Sequence, residues 1–435
     1  MSSIEIGFAA IGGLLILIGL RFPVGFALSI SAIVGIAAIR GFDAAMGVLE
    51  TMPFAFVSHW SLTAVPMFLL MGSISYHSGL TASLYTAMRQ WLSGLPGGLA
   101  VASNLASASF AAASGSSMAT AAAMGRLAIP EMLRFGYNPG LATGVIAASG
   151  TLGSLIPPSI LMVLYGVFAE QPIGKMLIAG IVPGLLTAAA YTTLIVVRCS
   201  FDPSLAPPVE EKVSFRQKVT TLLDVWPLPV VVVAVIGGIY SGIVSATEAA
   251  AFGAMVTALI ALSRGKLTLN ILKESILETL KSTATIFFIA IGAMLLTRFL
   301  AISGLGFYFS SMVDSWGINP LALLLMASVI YLILGMFLDP IGLMLLTLPV
   351  MLPIFENADL NLIWVGVIVV KYLEIGLLTP PVGLNVYVVK GIVGNQVSLP
   401  EIFKGVSWFL LAEVFVMALL IAFPQISLIL PNLME

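Results

Sequence analysis

The sequence predicts an all-α polytopic membrane protein built as an inverted-topology repeat, with two re-entrant hairpins and two broken helices. Three observations predict it. Sixty per cent of the 435 residues are hydrophobic and only 9% are charged, against roughly a quarter charged in an ordinary soluble domain. Apolar runs near the ~20 residues that cross a bilayer recur along the chain. The second half also repeats the first: Pro130, Gly153, Pro157 and Pro158 fall on Pro353, Gly376, Pro380 and Pro381 at one offset of 223 residues, which places Ser116 on Asp339. Upstream, Ser78-Gly79-Leu80 with Trp91 returns as Ser303-Gly304-Leu305 with Trp316.

The same composition excludes several function classes. A single Cys199 excludes a disulfide framework and a cysteine-based metal cluster, and His59 and His77 make no histidine-rich metal site unaided. A net charge of −2 predicts no nucleic-acid partner. The first apolar run, from Ile4 to Leu20, follows no basic segment and passes directly into a second, so it reads as a retained span and not a signal peptide. A membrane-embedded enzyme is disfavoured by the lack of a Gly-x-Ser-x-Gly elbow, a His-Glu-x-x-His motif or a second intramembrane aspartate to partner Asp339.

In chain order, full spans are predicted at 4–20, 24–39, 53–76, 139–168, 176–197, 225–243, 247–262, 283–302, 361–394 and 405–430. Residues 1–52 hold two N-terminal scaffold spans. The first repeat is 53–198, with a hairpin at about 97–134 and a broken span at 139–168. Residues 199–282 form a cytoplasmic linker with further scaffold spans, and 283–435 the second repeat, with a hairpin at about 319–356 and a broken span at 361–394. The hairpins are predicted because their apolar runs are interrupted halfway, by Ser114-Gly115-Ser116-Ser117 and by Leu338-Asp339-Pro340. Each half is too short to cross comfortably, and such turns are tolerated at membrane depth only where protein or a watery cavity satisfies their backbone.

Lysine and arginine set the orientation. Arg198, Lys212, Arg216 and Lys218 crowd one loop and Arg264, Lys266, Lys273 and Lys281 another, two spans apart, so both loops are cytoplasmic. Propagated along the chain, this puts the N-terminus outside, starts the first unit outside and starts its matching unit inside. The segments 80–92, 267–281 and 305–316 mix apolar and polar residues at helical spacing, as interfacial helices do. They serve either as arms joining a moving part to a fixed one or simply as headgroup-level lining.

Four constellations carry chemistry. Ser114, Gly115, Ser116, Ser117 and Thr120 crowd hydroxyls and permissive backbone into the first tip; Gly335, Asp339 and Pro340 add a carboxylate at the second. Facing them, the broken spans carry Gly150-Thr151-x-Gly153 with Pro157-Pro158, and Gly376 with Thr379-Pro380-Pro381-x-Gly383-x-Asn385. Paired prolines remove two amide donors and expose the carbonyls those donors would have met. Broken helices thus offer oxygens to a hard cation such as Na+, and half-helix N-termini to an anion, the layout of a secondary-transporter site. Asp339 is a cation ligand or the cap of the helix after it. Arg298, near the end of its span, snorkels or attracts an anionic substrate. Ser245 and Glu248 read as a capping box, Lys371 and Glu374 as an i, i+3 ion pair, and the two histidines as interfacial or core residues.

Taken together, Gly115-Ser-Ser-Met-Ala-Thr-Ala, Ile129-Pro130, Gly136-Tyr137, Gly150-Thr151 through Pro157-Pro158-Ser159, Ala179-Gly180-Ile-Val-Pro-Gly184, Thr247-Glu248, Gly335-x3-Asp339-Pro340 and Leu378-Thr379-Pro380-Pro381-Val-Gly383-x-Asn385 resemble the large membrane subunit of tripartite ATP-independent periplasmic (TRAP) transporters. The resemblance covers essentially the whole chain. It implies a multi-pass protein of the bacterial inner membrane, with hairpins and broken helices on an elevator-type transport domain. It also implies a periplasmic substrate-binding protein and a small four-span membrane subunit as partners, an organic acid substrate (C4-dicarboxylate, sialic acid or 2-oxo acid) and Na+ as coupling ion, with no other cofactor. Carried over, one Na+ falls near Ser114, Gly115, Ser116, Ser117, Gly150, Thr151 and Gly153, and another near Gly335, Asp339, Thr379 and Asn385. The substrate carboxylate falls between the tips, near Ser116, Ser117, Thr120, Pro157, Pro158, Pro340, Pro380 and Pro381, with Arg298 on its path. A stand-alone Na+-coupled carrier of the same superfamily is the alternative.

Overall fold

Long apolar runs introduced by Ser, Thr, Asn or Asp caps dictate helices. The computed structural model, which describes residues 2–208 and 214–434, contains no strand among them. Lys212 of the linker lies outside the described residues.

The chain opens with α1 (Ser3–Gly19), started by a capping box between Ser2 and Glu5, followed by α2 (Val24–Arg40), α3 (Phe42–Val57) and α4 (Ala64–His77). The single span expected at 53–76 is corrected here: α3 begins eleven residues earlier, and α3 and the segment running through α4 meet at 57° across a short break. The break falls at Ser58 and His59, after which a short 3-10 turn over Trp60–Thr63 leads into α4. An amphipathic helix, α5 (Leu80–Leu92), leads into the first hairpin, α6 (Gly98–Ser114) and α7 (Ser117–Arg134). The expected first broken span follows as α8 (Pro139–Gly150) and α9 (Ile160–Phe168), with α10 (Ile173–Ala179) and α11 (Ile181–Phe201) after it.

Past the linker come α12 (Phe215–Leu223), α13 (Pro227–Val232), α14 (Gly238–Tyr240) and α15 (Ala246–Ser263). The separate interfacial helix expected at 267–281 merges with the next span into one 35-residue helix, α16 (Leu269–Ser303). No Gly or Pro stands between 269 and 291 to end it. At 1.5 Å per residue it is about 50 Å long, so its first turns, with Lys273, Glu274 and Glu278, extend past the apolar part. The repeat then returns: α17 (Leu305–Ser315), the hairpin α18 (Pro320–Gly335) and α19 (Pro340–Asn357), the broken pair α20 (Leu362–Gly376) and α21 (Leu384–Val393), then α22 (Leu399–Ala422) and α23 (Gln425–Asn432). Helices α7 and α19 start and stop in register, Ser117 over Pro340 and Arg134 over Asn357, at the offset read from the prolines.

Among the described residues six helices are long and apolar enough to cross a membrane by themselves, seven if the bent pair counts as one. The split spans fall below that length because each half is short. Helix α19 passes the test alone, yet four residues after α18 it turns back as the second arm of a hairpin. Packing separates two groups. Helices α1, α2, α3, α4, α15 and α16 lie against one another, while α6, α7, α8, α11, α21 and α22 form a second cluster; α18, α19 and α20 pack together, α19 also against α16, and share one buried core with the first group. The amphipathic α5 and α17 run along hairpin arms α6 and α19. Helix α21 crosses over to pack on α7 and α8, so the second broken helix reaches into the first unit.

Candidate functional site

At the first tip α6 ends because Gly115 takes a left-handed φ of 64°, and no side chain fits there: a Cβ would stand 2.6 Å from the carbonyl oxygen of Pro158. Ser116 then caps α7, its hydroxyl accepting from the Ala119 amide. The hydroxyls of Ser114 and Thr120 lie 2.6 Å apart across the turn. Gly153 faces the Ser116 backbone so closely that a Cβ would sit 2.6 Å from its oxygen. The first tip is therefore seated in the first break. Within that break Thr151 donates its hydroxyl to the Ala148 carbonyl, 2.6 Å, and Pro157 and Pro158, joined by a cis bond, are buried.

The second tip is built alike. Asp339 caps α19, its carboxylate accepting from the Gly342 amide at 2.8 Å, so the capping role considered for it is real. Gly335 and Gly376 meet backbone to backbone: a Cβ on Gly376 would lie 2.8 Å from the Gly335 Cα. In the second break Thr379 donates to the Ile375 carbonyl at 2.7 Å, and Pro380 and Pro381 are exposed. Asn385 turns to the first unit, where its amide donates to the Ala147 carbonyl of α8 at 3.2 Å.

Both tips border one small cavity of about 50 Å³. Gly115, Ser116, Ser117 and Ser154 line it from the first unit; Asp339, Pro340 and Leu377 line it from the second. A far larger cavity, about 1060 Å³, lies elsewhere, between the end of α3, the end of α9, α16 and the far end of α19. Arg298 and His59 line this larger space, so Arg298 is not brought to the tips. Hydroxyls, a carboxylate and both helix breaks converge on the small cavity.

The ion pair expected between Lys371 and Glu374 does not form. Both side chains are fully buried, and each has a partner on another helix. Lys371 pairs with Glu413 of α22 and lies 3.3 Å from the Thr187 hydroxyl; Tyr191 donates to the other Glu413 oxygen. Glu374 takes a different partner, accepting from the Ser117 hydroxyl at 2.6 Å, and Ser117 in turn lies 2.7 Å from the Ser154 hydroxyl. An i, i+3 pair suits an exposed helix face. In a buried helix each charge takes the partner that its own face presents. Glu413, in the apolar run of α22, was the available signal for a partner to Lys371. The Ser245–Glu248 capping box is present, with the Ser245 amide donating to Glu248 at 2.7 Å. His77 faces Glu278 of α16 at 3.0 Å.

Comparison with known proteins identifies relatives along almost the whole chain. A family model described as "Tripartite ATP-independent periplasmic transporter, DctM component" matches residues 11–426. The C4-dicarboxylate TRAP transporter large permease protein DctM of Pseudomonas aeruginosa is 36% identical over 376 residues, 86% of this chain and 87% of that protein. The sialic acid TRAP transporter large permease protein SiaM of Vibrio cholerae is 32% identical over 386 residues, covering 87% of each. Among solved structures, the YdaH transporter of Alcanivorax borkumensis shares the fold with a TM-score of 0.64 over 88% of this chain and 89% of that one, at 14% identity.

Proposed function

The chain belongs to the DctM-component family of tripartite ATP-independent periplasmic transporters, and from that premise we propose that it performs Na+-driven uptake of an organic acid anion across the bacterial inner membrane by elevator-type alternating access. As a multi-pass carrier it breaks no covalent bond. The observation that carries the reading is the small cavity shared by both hairpin tips and both helix breaks. Two tips from sequence-related hairpins meet at one point, as they would if each entered from its own side of the membrane.

In this reading one Na+ is held by the turn from Ser114 to Ser117 against Gly150, Thr151 and Gly153, and a second by Gly335, Asp339 and Thr379. Breaks of this kind supply backbone and hydroxyl oxygens to a hard cation. The substrate carboxylate lies between the tips, near Ser116, Ser117 and Pro340. Na+ occupancy knits each tip to its facing break and completes the pocket. The loaded unit then slides against the group formed by α1, α2, α3, α4, α15 and α16, with α5 and α17 as arms. A ligand drives such a change only through its different affinity for the two states. The periplasmic binding protein delivers the substrate, and the small membrane subunit braces the static part.

The test is uptake of labelled C4-dicarboxylates, sialic acid and 2-oxo acids into proteoliposomes that hold this chain and its small subunit, with and without an inward Na+ gradient and with binding protein added or withheld. Uptake that needs both Na+ and the binding protein is expected. Na+-driven uptake without a binding protein would make the chain a stand-alone carrier, and uptake indifferent to Na+ would end the coupling assignment.

A further inference from the structure

The small cavity between the tips, about 50 Å³, has room for a few waters or one carboxylate group, and not for the body of an organic acid. The larger cavity, about 1060 Å³, has the size of a small-molecule site. Helices α9 and α19 line both: Ile160 and Ile341 border the small cavity, Val167 and Leu348 the large one. Ile341 and Leu348 lie about 10 Å apart along their helix at 1.5 Å per residue. An acid bound for the tips therefore has space to rest one short step away from them.

The repeat shows which kind of space this is. The register that sets Ser78-Gly79 on Ser303-Gly304 also sets Gly72 of α4 on Thr297 of α16, and Ser73 on Arg298. On α4 this position is closed: a Cβ on Gly72 would stand 2.9 Å from the Ala113 carbonyl oxygen and 3.0 Å from that of Ser114, so α4 lies tight against the first hairpin. One turn on, Arg126 of that hairpin donates to the Tyr76 hydroxyl of α4 at 2.8 Å. On α16 the equivalent position is open, with Thr297 and Arg298 exposed and lining the large cavity. In the orientation set by the lysines and arginines, α16 ends outside, so the open face is periplasmic and the closed one cytoplasmic.

Arg298 stands in this opening with its guanidinium free of any hydrogen bond or ion pair among the described residues. A cation within a span and without a protein partner is expensive unless it faces a watery path that a charged solute uses. It is also the single lysine or arginine on the described wall, where Glu170 and Glu356 are the acids. We propose that the large cavity is the outward-facing vestibule of the carrier and that Arg298 is its first anion site, taking one carboxylate group of the incoming acid before that acid reaches the tips. The inference deepens the uptake reading and rests on it for the identity of the anion. With one cation and two acids on the wall, a single carboxylate is favoured at this stop over a pair.

The experiment places a thiol beside the arginine. Thr297→Cys in the full-length chain, with its small subunit in right-side-out membrane vesicles, is labelled from outside by two impermeant methanethiosulfonates, one carrying a sulfonate and the other a trimethylammonium group. Cys199 is buried, so the parent chain gives the background. Relative to free cysteine, the ratio of anionic to cationic labelling rates is expected to rise about tenfold, the effect of one unit charge about 6 Å away acting with opposite sign on the two reagents. Adding Arg298→Gln should return the ratio to the free-thiol value, and Arg298→Lys should keep it. In uptake, R298Q should need about tenfold more substrate-loaded binding protein for half-maximal rate, with half-saturation by Na+ unchanged, the scale of one charge-assisted hydrogen bond. No labelling from outside overturns the vestibule, and a ratio that ignores R298Q overturns the anion site, as does R298Q uptake of wild-type kind. If T297C does not fold, Ala301→Cys on the same wall carries the labelling test. The labelling needs neither Na+ nor substrate, so uptake indifferent to Na+ would end the coupling assignment and leave this inference standing.

Discussion

Replacing Lys371 with methionine tests how the buried charges are paired. Lys371 and Glu413 are 0% and 1% exposed, and the pair joins α20 to α22. Thr187 and Tyr191 of α11 complete its shell, so one interaction ties three helices. Lys371→Met fills nearly the same volume but leaves the Glu413 carboxylate buried with only the Tyr191 hydroxyl. Removing one member of a buried pair costs about 3–5 kcal/mol, whereas replacing both with apolar residues of similar size is often neutral. The single variant is thus expected to lose about 3–5 kcal/mol and Lys371→Met with Glu413→Leu far less, which makes the coupling energy large. Equilibrium unfolding in mixed detergent, followed by circular dichroism, reads all four corners of the cycle. The same cycle run between Lys371 and Glu374 should give a much smaller coupling. The reasoning is refuted if the double variant is as damaged as the single, or if Glu374 proves the stronger partner.

Three further outcomes are expected. Gly376→Ala places a methyl 2.8 Å from the Gly335 Cα, a backbone atom that cannot swing aside; the overlap should cost about 1–3 kcal/mol and abolish Na+-driven uptake, while Gly12→Ala, with nothing within 4 Å, should leave uptake unchanged. Asp339→Asn keeps a good N-cap for α19 and should retain wild-type thermal stability yet lose Na+-dependent uptake, whereas Asp339→Ala should lose about 1 kcal/mol as well; equal activity of wild type and D339N would confine Asp339 to capping. Ser245→Ala breaks the capping box of α15 and should lower stability by about 1 kcal/mol with transport kinetics intact.

Much of this architecture is legible from spacing alone. Proline and glycine act through the backbone, so their recurrence at one offset located both breaks and both tips, and α7 and α19 agree with it to the residue. Hydropathy resolves less at junctions. It cannot see the bend at Ser58 and His59 between α3 and α4, nor that a polar stretch such as 269–282 continues helically into the next span when nothing breaks it. Side-chain partnerships are least legible. Lys371 and Glu374 are neighbours on one helix, and only the tertiary structure, which brings Glu413 of α22 to one and Ser117 to the other, gives them separate partners.

The departures from symmetry carry the most information. In the repeat register Ser116 stands where Asp339 does, and Thr151 where Glu374 does, so the carboxylates occupy nonequivalent places. The second tip carries its own acid at the cap of α19. The first tip carries none, and Glu374 reaches it from the other repeat through Ser117. Each tip therefore meets one carboxylate. Had both acids stood at equivalent positions, each repeat could balance a cation by itself, and one tip could seat without the other. With Glu374 supplied across the interface, the first tip meets a carboxylate only while α20 is in place. A carrier that must not move half-loaded needs such a dependence, because a coupling ion is useful only if its binding changes the stability of the assembled unit.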